Sequence, residues 1–110
     1  WHTQVCYGEK YEDVCAPKIN TGFFAALHEV GEVIGTFVGH EHINDFWGNL
    51  YGIRLCYGRV SGYGGYGKEG FLCGARVIEL EQNVRDFRTW LRLEDGTAVM
   101  NQPEHLPEGC

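Results

Sequence analysis

Two histidines set two residues apart, His40 and His42 in the run Gly39-His40-Glu41-His42, carry the clearest chemistry in this chain. They follow the mostly apolar stretch Val33-Ile34-Gly35-Thr36-Phe37-Val38. A stretch of that length and composition reads as a strand buried on both faces, either parallel to its neighbour or central in its sheet. In open α/β architectures ligands collect at the carboxyl ends of such strands. A glycine at 39 permits a sharp turn, after which both imidazoles can face one crevice. Neutral imidazole is the commonest nitrogen ligand for zinc and iron. The expectation is half of a metal pocket, because two ligands do not close a site that takes three or four. The competing reading is a surface loop with two solvated histidines.

The elements that must position this loop are legible in outline. Asn20 or Thr21 can cap a helix over 21–30 whose apolar positions Phe23, Ala26, Leu27 and Val30 fall on one stripe, with Gly31 as its stop. His28 and Glu29 lie off that stripe and read as solvated. Residues 49–57 read as one strand, with Tyr51, Ile53, Leu55 and Tyr57 on one face and Arg54 and Cys56 on the other. Residues 75–80 and 84–93 form an antiparallel hairpin across Glu81-Gln82-Asn83, and 97–100 is a further short strand. Residues 1–19 are irregular or hold one short strand. Residues 101–110, with Pro103 and Pro107, form an extended tail. The pattern predicts a mixed α/β fold with one main helix and a mostly antiparallel sheet.

Between 61 and 70, Gly62, Gly64, Gly65, Gly67 and Gly70 alternate with Tyr63 and Tyr66. No Gly-Lys-Ser/Thr ending or following helix supports a phosphate-cradling loop. Glycine-permitted turns are the expectation, with the tyrosines as a candidate contact surface.

Composition narrows the classes. With 110 residues and a formal net charge of −6 from 15 acidic and 9 basic residues, the chain has no basic block. Nucleic acid is therefore disfavoured as a partner. No apolar run approaches the ~20 residues that span a bilayer. Five cysteines point to an oxidising, secreted or extracellular setting. Cys6 and Cys15 could close one loop, and Cys56 and Cys73 could bracket the glycine-rich segment, leaving Cys110 for an intermolecular bridge. The alternative keeps all five reduced.

Gly39-His40-Glu41-His42-Ile43-Asn44-Asp45-Phe46 resembles the last metal motif, glycine–histidine–any–histidine, of the calcineurin-like metallophosphoesterases, in their purple-acid-phosphatase-like branch. Tyr7-Gly8-Glu9-Lys10-Tyr11-Glu12-Asp13-Val14-Cys15 and Lys18-Ile19-Asn20-Thr21-Gly22-Phe23-Phe24 resemble the segment before it. Gly74-Ala75-Arg76-Val77-Ile78-Glu79-Leu80 and Thr89-Trp90-Leu91-Arg92-Leu93-Glu94-Asp95-Gly96 resemble the closing strands. The resemblance implies the C-terminal half of a metallophosphoesterase-like α/β sandwich over residues 1–100, followed by the tail 101–110. It also implies a dinuclear site of divalent or trivalent iron, zinc or manganese, with His40 and His42 among its ligands. The family's earlier motifs are absent, and His2, His28 and His105 do not stand in them.

Three functions emerge as expectations. The chain is one part of a phosphoesterase whose site is completed by a missing N-terminal half, present as another chain. Alternatively it is a non-catalytic assembly subunit, self-associating as an oligomer or fibre, or a secreted ligand-binding module using its tyrosine–glycine loop. The helix stripe and the two-sided strand demand more cover than a chain of this length is expected to supply internally, so extensive inter-chain contact is expected.

Overall fold

A computed structural model describes residues 5–105. In chain order it contains β1 (Cys6–Tyr7), α1 (Phe23–Val30), β2 (Gly35–Val38), β3 (Trp47–Leu50), β4 (Ile53–Tyr57), β5 (Gly74–Leu80), β6 (Phe87–Leu93), β7 (Ala98–Val99) and β8 (Glu104–His105). A five-stranded sheet runs β2-β4-β3-β1-β8, and a three-stranded sheet runs β5-β6-β7. Only β2 and β4 pair in parallel. The remaining pairs are antiparallel, so the fold has one helix and a mostly antiparallel sheet, as the periodicities predict.

The period-2 segments behave as expected. Leu80 faces Phe87 and Gly74 faces Leu93 across the β5–β6 ladder. Phe87 and Leu91 are buried, while Arg88 and Arg92 are exposed on the opposite side. Phe87 also joins the two sheets. Its ring packs edge-on to Phe37 of β2 at 5.3 Å, and the Arg54 guanidinium of β4 lies 4.2 Å from its centre. Gly35 makes room for it, since a Cβ there would come within 2.6 Å of the Phe87 ring. Arg76 of β5 supplies the second tie, donating to the Tyr57 carbonyl at 2.6 Å and to the Asp45 carbonyl at 2.7 Å.

Four expectations need correction. The segment 33–38 is strand only from Gly35, and β2 lies at the edge of its sheet rather than the centre. The segment 49–57 is not one strand but the β3–β4 hairpin, which turns at Tyr51 (φ 48°) and Gly52 (φ 83°), with Asn49 Oδ1 accepting the Gly52 N–H at 3.0 Å. Residues of positive φ at both turn positions match the twist of a tight hairpin. The expected cap on α1 is also replaced: Gly22 in left-handed geometry starts the helix with no side-chain cap. Asn20 instead closes a local turn onto the Gly22 N–H at 2.9 Å. Finally, the segment from 101 is tied into the sheet at β8, which pairs with β1.

The helix stripe is the least satisfied feature. None of the eight residues of α1 is buried, and Phe23 and Val30 are 70 % and 66 % exposed. Arg85 holds the helix at its end, through the Gly31 carbonyl and an ion pair with Glu32 at 2.9 Å. An eight-residue helix without a packed face is marginal. Phe37 and Val38 on β2 are exposed as well.

Gly8 tests how tightly the first sheet closes on the loop after β2. Its φ is +119°, and a Cβ would meet the Phe46 Cα at 2.6 Å and Asp45 Oδ1 at 2.8 Å. Gly8→Ala combines backbone strain with overpacking and is expected to lower stability by about 3 kcal/mol or more, read from urea unfolding midpoints.

Candidate functional site

The loop after β2 holds three buried polar side chains, Glu41 between the two histidines and Asn44 and Asp45 just after them. Each must be satisfied in a dry environment, and each finds partners on the segment 9–15, on Tyr57 at the end of β4, or on Arg59 just beyond it. Cys15 N–H donates to Glu41 Oε1 at 2.8 Å, and the Tyr57 hydroxyl donates to Oε2 at 2.6 Å. Asn44 Oδ1 accepts the Tyr11 and Glu12 N–H groups at 2.9 and 3.1 Å, while its Nδ2 donates to the Glu12 carbonyl at 3.0 Å. Asp45 Oδ1 accepts the Glu9 N–H at 2.7 Å, and Oδ2 accepts Arg59 at 2.5 Å. Gln102 adds a further donor at 3.0 Å. Among the described residues no buried side-chain nitrogen or oxygen lacks a hydrogen-bond partner.

These contacts set the charges. Burial raises the Asp45 carboxyl above its ordinary value, against the Glu9 N–H and Arg59, which pull it down. Burial also works to raise Glu41, but the Tyr57 hydroxyl, the Cys15 N–H and nearby His40 together hold it below its ordinary value. Tyr57 is pushed well above the usual phenol range, first by burial and then by the Glu41 carboxylate.

On this frame the imidazoles face outward with different neighbours. His40, whose side chain is 79 % exposed, places Nδ1 3.2 Å from Glu41 Oε1. His42 places Nδ1 3.0 Å from the Tyr66 carbonyl. A carbonyl only accepts, so His42 Nδ1 is the donor, and in the neutral ring Nε2 then keeps its lone pair. The Tyr66 ring stacks on His42 at 4.1 Å with planes 6° apart, and its hydroxyl donates to Glu12 at 2.9 Å. His42 lines a cleft of ≈ 370 Å³ together with Gly39, Glu41, Gly58, Arg59 and part of the glycine-rich loop.

A histidine whose Nδ1 is held by a carboxylate or a backbone carbonyl, with Nε2 outward, is the arrangement metal-ligating histidines adopt. His40 and His42 each have such an acceptor at Nδ1, and two nitrogen donors suit iron, zinc or manganese as part of a larger ligand set. Among the described residues the remaining histidines do other work. His28 lies on α1 beside Tyr51, and His105 Nδ1 bonds with the Gly8 carbonyl at 2.9 Å. His2 and Cys110 lie outside the described residues.

Several functional placements escape sequence reasoning. Gly39 has no left-handed φ and open space where a Cβ would stand, so the turn needs no glycine. Tyr66 stacks on His42 while staying 54 % exposed, and Tyr63 of the same loop is 80 % exposed. The expected bridges Cys6–Cys15 and Cys56–Cys73 are not formed: Cys15, Cys56 and Cys73 are thiols. Cys56 is buried in β4, whereas Cys73 sits beyond the glycine-rich segment with its sulfur 3.9 Å from the Gly62 carbonyl. Asn44, Asp45 and Arg59 carry the frame, and the only hint of it in the sequence is an Asn-Asp pair set between Ile43 and Phe46.

No family model matches the chain, and no solved structure matches it. Three Arabidopsis thaliana proteins do. Over 97 residues the chain is 46 % identical to "Probable inactive purple acid phosphatase 14" and 42 % identical to "Probable inactive purple acid phosphatase 29", covering 80 % of this chain in each case. Over 103 residues it is 34 % identical to "Probable inactive purple acid phosphatase 28", covering 86 %. Across the matched stretch the chain belongs to the purple-acid-phosphatase-like metallophosphoesterases. It spans about a quarter of the length of these relatives, 24 % to 26 %.

The Arg59/Asp45 pair gives a sharp test. Asp45→Asn leaves a guanidinium whose side chain is 4 % exposed without its closest counter-charge. The expected loss is about 3–5 kcal/mol, from chemical denaturation. Glu79→Gln, which breaks the exposed ion pair with Arg88 on β6, is expected to cost under about 1 kcal/mol.

Proposed function

We propose that this chain is the C-terminal part of a metallophosphoesterase-like domain that supplies two imidazoles to a dinuclear transition-metal site. The remaining ligands come from segments outside these 110 residues, in the same or another polypeptide. The observation that carries this reading is the orientation of the histidines: acceptors hold both Nδ1 atoms, and the loop beneath them is fixed by buried hydrogen bonds. When bound, such a pair of ions supplies Lewis acidity toward phosphate oxygens and a nucleophile from water. The chain itself contributes the Nε2 donors, the Glu41 and Tyr66 contacts that orient them, and one wall of the cleft. Two nitrogens do not close a catalytic site, so phosphate ester hydrolysis by this chain alone is not part of the proposal.

The completing segments are proposed to lie against α1 and the open edge of β2, where Phe23, Val30, Phe37 and Val38 are exposed. Export to an oxidising compartment belongs to the proposal on the strength of the cysteine count. Among the described residues no helix is long and apolar enough to cross a membrane. A second reading, a non-catalytic assembly subunit, is favoured by the printed names of the relatives, each of which is called probable inactive.

Complementation tests both readings. The chain is mixed with the upstream three quarters of one relative, and metal retained after gel filtration is measured by elemental analysis. The expected result is a complex that holds more metal than the separate parts and loses it with His40→Ala or His42→Ala. A complex whose metal content is unchanged in the double variant would overturn the metal role and leave the assembly reading. Absence of any complex would overturn the proposed docking.

A further inference from the structure

A second set of donors meets beside the cleft. Ligand-capable atoms of Cys15, His40 and Glu41 all lie within 4.8 Å of one another. They come from separate segments, Cys15 from the irregular stretch before Pro17 and the other two from the loop after β2. Glu41 Oε1 gathers them, accepting the Cys15 N–H at 2.8 Å and lying 3.2 Å from His40 Nδ1. The carboxylate is 6 % exposed, and its other oxygen is held by the Tyr57 hydroxyl, so it is fixed in place before any cation arrives. Cys15 and His40 are exposed, His40 tethered through its contact with Glu41.

We propose that Cys15 Sγ, the His40 imidazole and the Glu41 carboxylate form a mononuclear site for a zinc-class divalent cation, with water in the fourth position. One sulfur, one nitrogen and one oxygen donor make a set that zinc accepts in tetrahedral geometry. At ligand distances of ~2.0–2.3 Å, the edge of that tetrahedron is about 3.3–3.8 Å. The His40–Glu41 separation is already close to this edge, and the widest pair closes by about 1 Å when the exposed side chains rotate. On binding, the Cys15 S–H bond breaks and its proton goes to solvent as the sulfur–metal bond forms. The His40 proton moves from Nδ1 to Nε2, which frees Nδ1 as the donor, so one proton is released per ion. The dinuclear reading uses His40 through its opposite nitrogen, and one neutral imidazole cannot serve both sites. The Cys15 site is therefore what the chain holds when the completing segments are absent.

Cobalt(II), a spectroscopic stand-in for zinc, tests this on the full 110-residue chain. Expected are one ion per chain, a thiolate-to-cobalt charge-transfer band in the near ultraviolet, and loss of that band on adding zinc(II). Cys15→Ser should abolish the band and weaken zinc(II) binding at least tenfold. It keeps the N–H that Glu41 accepts, so the far-ultraviolet circular dichroism should not change. His42→Ala should leave band and affinity intact, which separates this site from the dinuclear one, where His42 is required. The proposal is overturned by absence of cobalt(II) uptake, by a band that persists in Cys15→Ser, or by a band that depends on His42.

Discussion

The buried Arg59/Asp45 pair is the interaction on which the rest of the structure depends. Two opposite charges removed from water are stable only when the geometry is tight and the remaining lone pairs are satisfied. Here Glu9 and Gln102 satisfy them, one from the start of the chain and one from near its end. Asp45 thus connects three distant parts of the sequence through one carboxylate. Asn44 and Glu41 extend the same device toward residues 11–15. The loop after β2 is held in place because Glu41, Asn44 and Asp45 cannot leave the interior without orphaning a polar group, at about 1–3 kcal/mol each.

That frame contrasts with the apolar packing. The buried apolar residues are few, with Cys6, Phe46 and Tyr57 forming the central cluster. Large side chains on α1 and β2 remain in solvent. In a chain that spans about a quarter of its relatives' length, an ordered polar site beside an uncovered apolar face is physically coherent. The polar loop closes on partners among the described residues, whereas Phe23, Val30 and Val38 stay largely in solvent. Phe37 and Val38 of that face lie on β2, the strand that leads into the histidine loop.

The sequence reveals the site more fully than its surroundings. Period-2 spacing places β5 and β6 to within a few residues, and in β6 it also marks the face that Phe87 and Leu91 bury. The H-x-H pattern locates the loop after β2, with His40 exposed and His42 half-buried on it. It cannot show that Glu41, between them, faces inward, because alternation in a three-residue window carries no direction. Tyr51-Gly52 escapes notice as a turn because a tyrosine at positive φ is uncommon. The edge position of β2 is equally hidden, because an apolar strand reads the same whether its neighbour is present in the chain or absent. Cys15 reads as a disulfide partner in the sequence, since its approach to His40 depends on a fold-level contact through Glu41.

The Tyr66 carbonyl and ring hold the His42 imidazole in one orientation and one tautomer. Nitrogen-detected magnetic resonance of the imidazole of His42 tests this most directly, since it reports which ring nitrogen carries the proton. In the neutral ring the expected form is protonated on Nδ1, donating to the Tyr66 carbonyl, with Nε2 unprotonated. A His42 ring that is protonated on Nε2, or that averages between the two tautomers as a solvated side chain does, would contradict it.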